Sequence, residues 1–371
     1  MLASPSLALP PGGRSATRSA SVLRIAIVGP ARFDVAAPFA GGMEAHTHAL
    51  AVGLGRRGHA VTVFARGGDA ALDVRPMMPV PAPERGRADV LTDSGAALAE
   101  GDSYLEAMLS LAGEGFDIVH VNAVHHVPFA CIGLVRGTLT GTLHTPPSPW
   151  LVRAARSATV AAGARLVAVS ATTAAAWAAV GVEVDVILNG VDTATWSFGP
   201  GGGGAVWSGR LVPEKAPHLA IAAARAAGVP LTLYGPRHDA DYFDSAIGPE
   251  LDGHVRYGGH LGPEDLARAL RRASVALVTP VWDEPFGLVV AEALSCGTPV
   301  AGFNRGALAE LLDDETGVLA APGDVDALAD ALVRAQRLDR RRCRARAERA
   351  FSRQRMIDAY EAWFTRSARA G

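Results

Sequence analysis

The chain has 371 residues, a formal net charge of −2, and 49% hydrophobic and 19% charged residues. That length accommodates about two domains of ordinary size, and the near-zero charge argues against nucleic acid as the main partner, because phosphate backbones demand a basic surface. No apolar run reaches the ~18 to 20 residues that span a bilayer.

The first 21 residues lack the continuous apolar core of a signal peptide and read as a disordered tail. RIAIVGP at 24–30 is a short β-branched run of the kind a doubly covered parallel strand requires. Gly41 and Gly42 then open a helical segment in which Ala45, Ala49, Val52 and Leu54 form an apolar stripe, and AVTVFAR at 60–66 is strand again. This is a βαβ unit. Further strands are expected at 117–122, 137–144 and 164–170, with helices between them, which predicts a doubly wound α/β domain. Asn189 and Gly190 form a turn dipeptide, and the run Gly201 to Gly204 is flexible, so the chain should cross to a second domain near residue 188.

The second unit repeats the logic. AVWSGR, LTLYG, HVRYG, SVALVTP and TPVAGF read as strands, separated by helices at roughly 215–227, 264–273 and 287–296. From about 324 the sequence becomes helical and arginine-rich. An arginine run can contact an anionic membrane weakly, but it reads first as a solvated helix face. Met356, Tyr360 and Trp363 recur at the spacing of a buried stripe, so the last helix should dock on the first domain. Cys131, Cys296 and Cys343 are odd in number and show neither zinc-ligand nor redox spacing, which fits a reducing cytoplasm.

Several residues carry candidate chemistry. Lys215 is the one lysine in a chain that otherwise uses arginine, which suggests a task for a compact point charge. Arg210 and Lys215 flank the end of a strand, where open α/β sheets bind ligands. Glu284 precedes a helix and Glu292 lies about two turns inside it, so the two should touch different parts of one ligand. His144 ends a strand and enters TPPSP, whose prolines can hold the imidazole toward a cleft. His46, His48, His125 and His126 have no motif around them and read as structural.

The segments PFAGGMEAHTHAL, LHTPPSP, VILNGVD, GRLVPEK and EPFGLVVAEALSCGTPVAGFNRGALAEL, in this order, resemble the retaining nucleotide-sugar glycosyltransferases of family 4 from about residue 24 to 365. The resemblance implies the GT-B architecture: two Rossmann-like domains, here 22–187 and 188–348, facing across a cleft, with a helix at 349–371 crossing back onto the first. It implies that Gly41 and Gly42 meet the donor diphosphate, that Arg210 and Lys215 hold the phosphates, and that Glu292 takes the ribose hydroxyls. Glu284 and His144 would contact the donor sugar, with the backbone of Phe286, Gly287 and Leu288 near sugar and phosphate.

No cofactor is implied beyond a nucleoside-diphosphate sugar as co-substrate, and no metal. Asp239-Ala240-Asp241 imitates a metal-binding triplet without the fold that uses one. An acceptor hydroxyl would enter by first-domain loops, including the stretch from Gly67 to Asp102. Two positions depart from the family pattern. His120-Val-Asn122 stands where many members show His-x-His, and Ala309 replaces a proline before Glu310. The alternatives are a nucleotide-sugar epimerase of the same fold and a non-catalytic sugar-nucleotide-binding protein.

Overall fold

The computed structural model describes residues 22–81 and 94–370, so the expected tail at 1–21 lies outside the described residues. The first unit is a seven-stranded sheet built from Arg24–Val28 (β1), Ala60–Ala65 (β2), Asp73–Pro76 (β3), Ile118–Val121 (β4), Thr138–Leu143 (β5), Arg165–Ala168 (β6) and Asp185–Val186 (β7). Its order is β3-β2-β1-β4-β5-β6-β7, and every pairing is parallel. Alternation along β1 separates the two faces. Ala26 and Val28 join a core with Phe64, Met108, Phe129 and Trp177, whereas Ile25 and Ile27 pack with Leu50, Leu54 and Val63.

The second unit is a six-stranded parallel sheet of Ala205–Ser208 (β8), Leu231–Tyr234 (β9), Val255–Tyr257 (β10), Val275–Val278 (β11), Val300–Phe303 (β12) and Gly317–Ala320 (β13). Its order, β10-β9-β8-β11-β12-β13, reverses direction between β8 and β11, as the first sheet does between β1 and β4. Ligands of doubly wound sheets sit beyond the carboxyl ends of strands at such points. The strands expected from apolar runs are all present. β3, β7 and β13 were not foreseen, and each is the edge of its sheet.

The stripe expected on the first helix has the wrong phase. Helix Gly42–Gly55 buries Glu44, His46, Thr47, Leu50, Ala51 and Leu54, while Ala45, Ala49 and Val52 are only partly covered. Alanines give little contrast between faces, and here the inward face begins with polar groups, of which His46 and Thr47 both bond to Asn122.

The chain passes between the units twice at one place. Val191 N–H donates to Phe351 O at 2.8 Å, and Arg353 N–H donates to Val191 O at 2.8 Å. A Cβ on Gly190 would lie 2.7 Å from Ser352 O, so only glycine permits this approach. Helix Arg353–Ala370 then returns to the first sheet. Met356, Ile357, Tyr360, Trp363 and Phe364 are all buried against the face that carries Ile25 and Ile27. Arg57 pairs with Asp358 and Glu361.

The arginine-rich helix Arg340–Ala350 corrects the expectation of a solvated face. Arg340 donates to Gly199 O, Ala273 O and Cys296 O, and Arg344 donates to Trp196 O at 2.8 Å and Ser295 O at 2.7 Å. Arg346 reaches Glu310 O. These guanidiniums donate to carbonyls at helix ends and in loops, including those closing helix Leu288–Ser295. Arg341, Arg342 and Arg349 do remain exposed. Among the described residues no helix is long and apolar enough to cross a membrane.

Candidate active site

A cavity of about 600 Å³ opens between the carboxyl ends of the two sheets. Gly41, Gly42, His144, Arg210, Lys215, Glu284, Phe286, Gly287, Leu288 and Glu292 all line it. Among its described residues, the expected acceptor stretch contributes little. Residues 67–81 are absent from the wall, 82–93 lie outside the described residues, and within that stretch only Glu100 lines it. The first unit's wall comes instead from Arg32, Phe33, Phe39, Tyr104 and His125.

Gly41 is the N-cap of helix Gly42–Gly55. Glu44, three residues on, is buried and faces the N–H groups of Gly41 and of its own residue, as well as Arg210 across the cleft. This is the glutamate half of a capping box. Burial raises its pKa above the ordinary carboxyl value. Sequence reasoning passed over Glu44, although the N-cap-to-N3 spacing was there to read.

From the second unit, Arg210 follows β8 and makes a 3.5 Å ion pair with Glu214. Lys215 ends the turn Pro213–Lys215, and its ammonium pairs with the Glu284 carboxylate and lies 5.1 Å from the centre of the Trp282 ring. Trp282 Nε1–H donates to Glu284 at 3.2 Å. The next residue, Ala216, has φ of 45°, a left-handed conformation that costs a non-glycine residue about 1 kcal/mol or more. Its surroundings hold it there: Thr279 Oγ1 lies 2.9 Å from Lys215 O and 3.0 Å from Ala216 O, and Trp207 Nε1–H donates to Thr279. Thr279, Trp207 and Trp282 fix the lysine's origin and direction. None carries a charge that would have drawn attention in the sequence.

Gly287 caps helix Leu288–Ser295 with φ of 92°, which glycine adopts without strain. Glu292 is partly buried on that helix, and desolvation pushes its carboxyl up to about 7. Cys296, beside it, is itself pushed up to about 12, chiefly by burial. A prediction follows for pH. In the free protein, the stability contribution of Glu292 is fully present below the ordinary carboxyl range and is lost as pH rises through about 7. A ligand hydroxyl donating to the carboxylate favours the ionised form. Nucleoside-diphosphate affinity should therefore rise between roughly pH 6 and 8, by up to about tenfold, and Glu292→Gln should flatten that component. Calorimetric titration of both proteins across this range measures it, and identical pH profiles would remove the role.

His144 donates from Nε2 to Asn122 Oδ1 at 2.7 Å and meets His46 edge-on at 4.9 Å between ring centroids. Burial pushes its pKa down to about 4. Asn122, read in the sequence as a departure from the pattern, is buried and also contacts His46 and Thr47. His46 is buried in the same network, in keeping with the structural role expected from sequence, while His125 lines the cavity. His48 pairs with Asp69 away from this network.

Glu310 also acquires a place. Its carboxylate accepts the N–H groups of Ala171 at 3.0 Å and Thr172 at 3.1 Å, capping helix Ala171–Ala178 of the opposite unit. Ser170 and Thr173 hydroxyls donate to Pro285 O at 2.6 and 3.1 Å, next to Glu284. These bonds bring the two units together beside the cavity. Asp239 uses its carboxylate to cap Tyr242 N–H at 2.9 Å.

Family models for glycosyl transferases group 1 and for glycosyltransferase family 4 match residues 205–350 and 40–195, one on each unit. The chain belongs to the family 4 glycosyltransferases. The chain is 35% identical over 230 residues to the glycogen synthase of Mycobacterium tuberculosis, an alignment covering 58% of this chain and 54% of that protein. The match thus spans about half the length of that relative. The chain is 29% identical over 336 residues to the phosphatidyl-myo-inositol mannosyltransferase of Mycolicibacterium smegmatis, an alignment covering 84% of each chain. In structure the chain is similar to Anabaena HepE in complex with UDP-glucose, with a TM-score of 0.72 at 19% identity over 93% of this chain and 100% of that one. Sucrose-phosphate synthase from Thermosynechococcus elongatus gives 0.76 at 18% over 94% and 100%. These likenesses establish the fold, which is GT-B.

Proposed function

We propose that the protein moves a sugar from a nucleoside-diphosphate sugar to an acceptor hydroxyl with retention of anomeric configuration and without a divalent metal. The observation that carries this reading is one cavity in which Arg210 and Lys215 face the N-terminus of helix Gly42–Gly55, with two carboxylates alongside. Two cations and a helix N-terminus suit a departing diphosphate. Ionised carboxylates only accept hydrogen bonds, so Glu292 would take a diol and Glu284 sugar hydroxyls. The relative HepE was solved with UDP-glucose, which supports a nucleotide sugar as donor.

The Glu284 carboxylate is engaged by Lys215 and Trp282, so it orients the sugar rather than attacking it. The bond from the anomeric carbon to the phosphate oxygen breaks as the acceptor oxygen bonds to the same face. The acceptor proton passes to that departing phosphate oxygen. The free thiols of Cys131, Cys296 and Cys343 favour a reducing cytoplasm as the site of action.

Incubation with a panel of nucleotide sugars and hydroxyl acceptors, read by mass spectrometry and by the anomeric proton coupling of the product, tests the reading. Transfer with retention, undiminished in EDTA, is the expected result. Epimerisation, inversion, or rescue by magnesium or manganese after chelation would overturn the corresponding part.

Closure supplies a second test. A Cβ on Gly42 would lie 3.1 Å from Leu288 Cδ1 across the cleft, so Gly42→Val should wedge the units apart as well as obstruct the phosphate. Small-angle scattering should show compaction on nucleoside-diphosphate binding in the wild type and little in the variant, with transfer reduced about tenfold or more. Equal compaction in both would exclude the wedge.

A further inference from the structure

Asn122 holds three neighbours at once. Its amide nitrogen lies 2.7 Å from Thr47 Oγ1 and 3.1 Å from His46 Nδ1, and its oxygen lies 2.7 Å from His144 Nε2. An amide offers a donor end and an acceptor end, so His46 Nδ1 and His144 Nε2 must differ: one is bare and the other carries hydrogen. Thr47 selects between the two orientations. Its hydroxyl donates to Met43 O at 2.8 Å, and an oxygen whose proton is committed there can only accept from Asn122. The NH₂ group therefore faces Thr47 and His46, and the carbonyl faces His144. A carbonyl donates nothing, so His144 carries its hydrogen on Nε2. The hydrogen left to His46 sits on Nε2, and that ring stands edge-on to Tyr360 at 5.5 Å, an arrangement in which an N–H can lie over an aromatic face.

We infer that Asn122 is a positioning residue that sets the tautomer of His144, so that His144 presents a bare Nδ1 to the cavity and accepts a hydrogen bond from a donor-sugar hydroxyl. The inference rests on the proposed reading of the cavity as a nucleotide-sugar site. Burial keeps His144 neutral, and the titratable groups facing it, His46 and His120, are likewise held neutral by burial. A neutral acceptor prefers a hydroxyl and disfavours a carboxylate. Sugars with a free hydroxyl at that position should therefore be used in preference to their deoxy or uronic counterparts.

Nitrogen-15 NMR of the histidine ring reads the tautomer directly. In wild type His144 should show a protonated Nε2 and a bare Nδ1 across neutral pH. Asn122→Asp places a carboxylate on Nε2 and should draw His144 into the charged form, adding a histidine ionisation to the pH profile of kcat. It should lower kcat about tenfold at neutral pH while nucleoside-diphosphate Kd changes less than about twofold. If Asn122 acts through His144, the double variant with His144→Ala should be no slower than His144→Ala alone. A protonated Nδ1 in the wild type overturns the inference whether or not any sugar is transferred, whereas absence of transfer with the expected tautomer overturns only the function. An additive double variant also overturns it. Thermal unfolding and Asn122→Ala guard against a folding defect. Asn122→Ala should lose tautomer selection in the NMR spectrum, and unchanged selection there counts against the inference.

Discussion

Replacing Lys215 by alanine should reduce transfer by about 10²- to 10³-fold, the loss seen when one preorganised donor to a developing negative charge is removed. The magnitude follows from how the ammonium is held. Thr279 fixes the backbone on either side of the left-handed Ala216, and the stem runs beside the Trp282 ring to the Glu284 carboxylate. Without the lysine, Glu284 faces an arriving diphosphate with no cation between them, so binding and chemistry both suffer. Lys215→Arg should restore only part of the rate, because a planar fork does not fit a place shaped for a point charge. Steady-state kinetics with a saturating acceptor gives kcat/KM for each variant. Wild-type rates in both would remove Lys215 from the mechanism.

The largest stability effect is expected at Trp363. The ring is 1% exposed, its Nε1–H donates to Asp185 Oδ2 at 2.8 Å, and it packs against Tyr360, Phe364 and His120. Trp363→Ala should cost about 3–5 kcal/mol through lost burial and the cavity left behind. Trp363→Phe should cost less, since most of the volume remains. Asp185 belongs to the edge strand β7, so the tryptophan also ties down a strand that has a single neighbour. Urea unfolding followed by circular dichroism supplies the comparison. A loss under about 1 kcal/mol for the alanine variant would mean that the helix end is only loosely docked.

Much of the cavity was legible because its residues follow a rule of position. Gly41, His144, Arg210 and Glu284 each come just after a strand or at the start of a helix, where doubly wound sheets place ligand groups. Central strands such as Ile118–Val121 announce themselves because both faces are buried. The two edge strands of the first sheet do not. Asp73–Pro76 and Asp185–Val186 are largely exposed, so their sequences carry little apolar signal.

What stayed hidden were pairings between distant residues that are individually unremarkable. Glu310 finds its partners 139 and 138 positions away, and Asn122 and Thr47 are 75 apart. Arg340 and Arg344 look like surface charge until the carbonyls they meet are known. The phase of helix Gly42–Gly55 was missed because an alanine-rich stretch weighs both faces almost equally, while the face that turned inward holds a glutamate and a histidine.

The returning helix Arg353–Ala370 bears on the order in which the protein can fold. The apolar layer formed by Ile25, Ile27 and Val63 of the first sheet and Leu50 of the first helix is completed by side chains that leave the ribosome only after the entire second unit has been made. During synthesis the second sheet can assemble from contiguous sequence while the first waits with apolar surface exposed, a situation that favours aggregation or chaperone capture. The unit encoded first is therefore the one that finishes last. Its final step is also a long-range closure, which is slow because distant segments must meet before any contact offsets the lost chain entropy.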